Sequence, residues 1–212
     1  MVEVNSFTTE KFNIIRTMLG EAGLRGEWRN VSEHAQRVAK VARVLGELAG
    51  LEEERLNKLE LGGWGHEIGK REEIEGRKSG KFSDRVEAEE AVSARWTETF
   101  PEIMPLARAT KQAAMVEYNE GKFAGEENFL ARIVFLADDM VSGDRIVSVE
   151  QRTQEWPYEA LRTERKTEYG NRTQQEIEIT FGREVEEEIK ARGKLNPEAN
   201  LVELLKNRLG IN

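Results

Sequence analysis

NVSEHAQRVAKVARVLGELAG, residues 30–50, is the stretch that decides the fold class. His34, Val38, Val41, Leu45 and Leu48 step by four, three, four and three positions, the spacing that gathers side chains on one face of an α-helix. Asn30 and Glu33 have the spacing of a capping box, and Ser32 is an alternative cap. The helix so defined carries His34 on its own apolar face. Similar spacing recurs through most of the chain, and no stretch alternates with period two, which predicts an all-α fold with little or no sheet.

Working outward, a preceding helix is expected over Phe7 to Leu19, ending in the glycine-punctuated segment Gly20 to Gly26. After Gly50 a further helix is expected from near Leu51, carrying Leu56, Leu59 and Leu61 into GGWGHEIGK, residues 62–70. Its glycines, Gly62, Gly63, Gly65 and Gly69, each cost up to about 1 kcal/mol in a helix relative to alanine. Close approach of a backbone or of a ligand would justify them. Residues 71–82, REEIEGRKSGKF, read as a mobile surface loop. Asp84 with Glu87 repeats the capping-box spacing and opens a helix to about Phe100, and Pro101 suits the start of another running to about Tyr118.

A loop over Asn119 to Glu127 leads into NFLARIVFLADDMVSG, residues 128–143, whose apolar surface predicts a central helix. Beyond it, helices are expected at 157–169, 172–192 and 197–209, started by Pro157 and Pro197 and stopped by Gly170, Gly193 and Gly210. The charged residues 159–192 read as an appended helical hairpin, with Glu186 to Glu188 as a solvated face. The division expected is 1–150 for the helical domain and 151–212 for a C-terminal helical extension packed on it.

A chain of 212 residues is one domain's length. With 38% hydrophobic and 34% charged residues it has material for a core and a well-solvated surface. The absence of cysteine excludes disulfides, thiolate zinc sites and cysteine nucleophiles, so any metal site must use His, Asp and Glu. The longest apolar run, Phe129 to Ala137, is interrupted by Arg132 and falls well short of the about 20 residues that span a bilayer. The first residues, MVEVNSFTTE, have neither the basic nor the apolar region of a signal peptide. A soluble, cytoplasmic protein without a membrane partner is therefore expected. A net charge of −8 disfavours broad nucleic-acid binding, although a local basic patch could hold one phosphate.

There are only two histidines. His34 lies on a core face and His66 sits beside Glu67 in the glycine-rich helix end. Asp138 lies inside the most hydrophobic helix, where an ionised carboxylate is costly unless paired or metal-bound. Asp139 points about 100° away and could stay in solvent. His34, His66, Glu67 and Asp138 together would make a two-nitrogen, two-oxygen site for one divalent ion, Mn²⁺, Fe²⁺, Co²⁺, Ni²⁺ or less typically Mg²⁺. Each also has a plainer reading: His34 as a core histidine, Glu67 as a surface carboxylate, Asp138 as a salt-bridge partner. Lys70 near a helix end could serve the helix dipole or a phosphate. Arg37, one turn after His34, and Arg29 are further candidates for phosphate. Trp28 could meet a base or fill the core. Glu72, Glu73 and Glu75 are candidate proton-transfer groups.

The order His34, then GGWGHEIGK, then FLADDM at residues 135–140 resembles the signature of the HD superfamily of metal-dependent phosphohydrolases. NVSEH at residues 30–34 is similar to the start of the metal-binding helix in HD-type 5′-nucleotidases acting on deoxyribonucleoside monophosphates. The resemblance covers roughly residues 7–150 and implies an HD-domain helical bundle. It implies that His34, His66 and Asp138 are metal ligands, with Glu67 in the place of the family's aspartate. It implies hydrolysis of a phosphomonoester or phosphodiester of a nucleotide or similar small molecule by metal-activated water. Lys70, with Arg37 or Arg29, would neutralise phosphate charge, and Glu72 and Glu73 would handle the proton. Lys70 is like the I-G-K members, whereas nucleotidase-like members carry an acidic group there. With no further histidines, a single-metal centre is expected. The alternative is a catalytically weak HD module that binds a nucleotide or a partner protein in a regulatory role, and a third reading is a purely structural helical adaptor. A homo-oligomer is compatible with any of these.

Overall fold

In the computed structural model, residues 13–15, 17, 31–155 and 172–211 are described. Residues 13–15 and Thr17 are helical. The rest of the helix expected over Phe7 to Leu19, the segment Gly20 to Gly26, Trp28, Arg29, the Asn30 cap and the helix expected at 157–169 lie outside the described residues.

The heptad-like spacing around His34 becomes α1, Val31–Leu48, which buries Val38, Val41, Leu45 and Leu48. Gly50, with φ of 74°, turns the chain into α2, Glu53–Gly65. α3 spans Lys70–Lys78, α4 Arg85–Thr99, α5 Met104–Arg108 and α6 Gln112–Asn119. A 3₁₀ turn at Glu126–Asn128 leads into α7, Phe129–Asp139. A two-stranded antiparallel hairpin follows, β1 Val141–Ser142 with β2 Arg145–Ile146, in which Val141 pairs with Ile146. α8 is Val149–Gln154, α9 Gln174–Arg192 and α10 Leu201–Leu209. The fold is all-α, with this hairpin as the sheet among the described residues. None of the helices searched is long and apolar enough to cross a membrane.

α7 is the centre. Ile133, Val134, Leu136 and Ala137 are fully buried, and the helix packs against α1, α2, α5 and α9. Ile177, Phe181, Val185 and Ile189 of α9 and Leu201 and Leu205 of α10 join the same core as α1 and α7. Phe181 stacks on Tyr118 at 3.9 Å between ring centroids and meets Phe135 edge-on at 5.0 Å. α9 is thus built into the core, because its apolar positions form a stripe that the charged residues flank; the first arm of the hairpin expected over 159–192 lies outside the described residues. The expected solvated face at Glu186 to Glu188 is partly engaged too: Glu188 reaches Arg132 of α7 at 2.6 Å.

Several local expectations change. Residues 71–82 are not a loop; most of them form α3, supported by an Arg71–Glu75 pair one turn apart. Asp84 caps α4 by accepting from Glu87 N at 2.9 Å, but the Glu87 side chain turns to Ser83 N rather than closing the box. The helix expected from Pro101 to Tyr118 is split into α5 and α6, with Lys111 extended at the break (φ −87°, ψ 150°). The last helix is capped by Asn200, whose side chain accepts from Glu203 N, not begun at Pro197. α9 opens at Thr173 in a reciprocal capping box with Glu176.

Candidate metal centre

The costly glycines of residues 62–70 are explained by packing. A Cβ on Gly63 would sit 2.4 Å from Ala39 Cα and 2.7 Å from Ala39 N, so α2 lies backbone to backbone on α1. Cβ atoms on Gly62 and Gly65 would press on Leu106 and Ile103 of the α5 region, and one on Gly69 on Val92 of α4. Close backbone approach, one of the two causes expected, is found at Gly63, and close side-chain packing at Gly62, Gly65 and Gly69. It brings the C-terminal end of α2, and His66 immediately after it, against the first turn of α1.

His66 is 1% exposed. Its Nδ1 lies 2.6 Å from the Gly63 carbonyl oxygen, which can only accept, so Nδ1 carries the hydrogen. That leaves Nε2 facing inward, buried and without a hydrogen-bond partner. His34 Nε2 is 2.9 Å from Asp138 Oδ1, and His66 Nε2 is 3.5 Å from the same oxygen. One ligand atom from each of His34, His66 and Asp138 lies within 4.8 Å of the others. Three elements, α1, the end of α2 and α7, therefore meet at one point.

This donor set fits a divalent ion. Ligands about 2.1 Å from a cation at tetrahedral or octahedral angles sit about 3.0–3.4 Å apart, close to the 2.9 and 3.5 Å separations found around Asp138. The orphaned Nε2 of His66 is the atom that a metal would satisfy, and a backbone carbonyl on the other ring nitrogen is the usual way a ligating histidine is oriented. Two imidazoles and a carboxylate suit the Mn²⁺ to Ni²⁺ series better than Mg²⁺, which favours oxygen.

The site is strongly polarised. Burial alone would raise the Asp138 carboxyl, but His66 and His34 outweigh it and hold it well below the usual carboxylate range. Burial would push His66 down, yet Asp138 and Glu67 raise it above 6.5. Glu67 is likewise opposed by burial and by Asp138, but Lys70, Lys111 and His66 lower it to about 2.

The remaining expected residues divide. The Glu67 carboxylate is 3.8 Å from His66 Nε2 but does not belong to the mutually close ligand set. Lys70 Nζ is 3.7 Å from Glu67 Oε1 and 3.9 Å from Glu73 Oε2, so it flanks the site. Glu73 is buried and accepts from Lys111 Nζ at 2.9 Å. Glu72 faces outward, paired with Arg95 and 3.9 Å from Lys81. Glu75 pairs with Arg71 at the surface. Arg37 is not brought to the ligand set: its Nη1 donates to the Gly143 carbonyl at 2.7 Å, tying α1 to the hairpin turn. Arg29 lies outside the described residues. Asp139, which could have stayed in solvent, is buried at 6% exposure, because α7 is enclosed on that side as well.

Sequence reasoning missed Lys111, Arg85 and Glu89. Lys111 is 3% exposed, and Glu89, fully buried, accepts from Arg85 at 2.6 Å. A lysine amid the apolar residues 103–118 was the available sign; its partner is remote in sequence and could not be read. No family model, curated protein or solved structure matches the chain.

Proposed function

We propose that the chain is a metal-dependent phosphohydrolase of the HD type, cleaving a phosphomonoester or phosphodiester of a nucleotide or similar small molecule. The observation that carries this is the convergence of His34, His66 and Asp138 on one point, with His66 Nε2 buried there without a hydrogen-bond partner. These three residues would hold one divalent ion, whose chemistry is Lewis acidity toward a phosphoryl oxygen and toward water.

The chain's own groups then have distinct tasks. The Gly63 carbonyl fixes which nitrogen of His66 faces the site. Asp138, ionised throughout the neutral range, supplies the negative charge that attracts the cation. Lys70 touches its carboxylate neighbours only at 3.7 and 3.9 Å, longer than hydrogen bonds. Its ammonium therefore retains donors for phosphate oxygens, where it would offset charge that grows in the transition state. Glu67, held at about 2, is a weak base at neutral pH and serves as a counter-charge to Lys70 rather than as a proton acceptor.

Glu73 is hydrogen-bonded to Lys111, and Glu67 is held at about 2 by the charges around it, so both are poor proton acceptors; this favours a second reading, the catalytically weak module that binds a nucleotide. Phosphate release from nucleoside monophosphates, cyclic nucleotides and alarmones, assayed with Mn²⁺, separates the two. Release that disappears in His66→Ala is expected. A Mn²⁺-loaded protein that binds nucleotides but cleaves none of them would favour the module, and one that does neither would refute both.

A further inference from the structure

The HD-type pattern makes Glu67 a fourth ligand, but the surroundings of its carboxylate oppose that role. Oε1 lies 3.8 Å from His66 Nε2, yet the residue falls outside the set whose ligand atoms are all within 4.8 Å of one another. The same Oε1 lies 3.7 Å from Lys70 Nζ. Lys70 continues to Glu73 Oε2 at 3.9 Å, and Glu73 Oε1 is held by Lys111 Nζ at 2.9 Å. Charges thus alternate along a row, Glu67, Lys70, Glu73, Lys111, whose far end is fixed where α6 begins. Its far end is dry, with the side chains of Glu73 and Lys111 5% and 4% exposed, while those of Glu67 and Lys70 are 16% and 27% exposed.

Moving the Glu67 carboxylate inward to ligate would lengthen its contact with Lys70 and leave that partly exposed ammonium with the more distant Glu73 carboxylate as its counter-charge. Losing that contact is opposed to the extent that the partly buried surroundings keep water from replacing it. Lys70 cannot simply follow, because Glu73 also draws it and Glu73 is itself held by Lys111.

We propose that Glu67 is held off the cation by Lys70, braced through Glu73 and Lys111, so that the centre has three protein ligands, His34, His66 and Asp138. This rests on the metal-binding reading of the preceding subsection. It assigns Lys70 a positioning role that is separate from any contact with phosphate, and it leaves more coordination positions open than the sequence pattern implies.

The test uses the full chain loaded with Co²⁺, whose visible absorption reports ligand number and identity. The spectrum of Glu67→Gln should superimpose on that of the wild type, with Co²⁺ affinity reduced by less than about tenfold, the lower end of what an outer partner costs. A changed spectrum, or a larger loss, overturns the inference while leaving metal binding intact. Should Glu67→Gln not fold, as judged by circular dichroism, Lys70→Met decides. Releasing Glu67 should then alter the wild-type spectrum and tighten Co²⁺ binding, and an unchanged spectrum and affinity overturn the inference. A wild-type protein that binds no Co²⁺ overturns it together with the metal reading.

Discussion

Gly63→Ala is the substitution for which helix propensity and packing make opposite predictions. Alanine in a helix interior gains about 0.5–1 kcal/mol over glycine, so propensity alone makes the variant more stable. The added Cβ, however, would lie 2.4 Å from Ala39 Cα, about 1 Å short of the 3.4 Å where ordinary contact begins. The atoms it meets are backbone of α1, which cannot rotate aside as a side chain could. The helices must part, and overpacking of this kind costs about 1–3 kcal/mol, with the upper half expected against backbone. The net effect is a loss of about 1–2 kcal/mol, or about 2–8 °C in Tm for a chain of this size. Urea unfolding should show a lower midpoint with an unchanged slope. The Gly63 carbonyl also holds His66 Nδ1 at 2.6 Å, so Mn²⁺ affinity should fall with stability. A variant as stable as the wild type or more so would refute the claim that these glycines exist for close helix approach.

The remaining predictions concern charge and capping. His66, raised above 6.5 in the folded chain, contributes stability that is complete below its unfolded value and is lost as pH rises through its folded one. Metal must displace that proton, so without added metal Tm should decline as pH rises above 6.5, while the increment from Mn²⁺ should grow over the same range. A Mn²⁺ increment that does not change across that range would refute the displacement. Lys111→Met leaves buried Glu73 without its hydrogen-bonded cation, with Lys70 at 3.9 Å and the Arg85 charge remaining, and should cost about 3 kcal/mol in chemical unfolding. Adding Glu73→Gln should recover much of that loss, and strict additivity would contradict the coupling. Thr173→Ala removes the side-chain acceptor of the α9 capping box and should cost about 1 kcal/mol by the same assay.

The helices were legible wherever one face is apolar. α1 and α7 could be read from spacing alone, and with them His34 and Asp138, because burial of a stripe imposes period on the sequence. α3 was not legible. Its residues are mainly charged, Ile74 and Gly76 give it little apolar face, and local charge pairs with packing of Gly76 against Phe82 maintain it. The break between α5 and α6 was hidden for a related reason: the apolar spacing continues across it, while Lys111 leaves the helix to reach Glu73. At the site, sequence order placed His66 and Glu67 side by side but carried no information on which atoms converge. The position of Glu67 is decided by Lys70 and by Lys111, a residue 38 positions from the Glu73 that it braces. Asp138 and Asp139 show the same limit, since helical rotation separates them but does not say which side is enclosed.

The central claim is that His34, His66 and Asp138 form one metal site, and the most direct measurement is the metal content of the purified full chain after supplementation with Mn²⁺, Fe²⁺, Co²⁺ or Ni²⁺ and removal of unbound ion. The expected result is one equivalent per chain, lost in both His66→Ala and Asp138→Ala when each variant retains its helical circular dichroism. Retention of the ion by both folded variants, or no bound ion in the wild type under any of the four supplements, would contradict it.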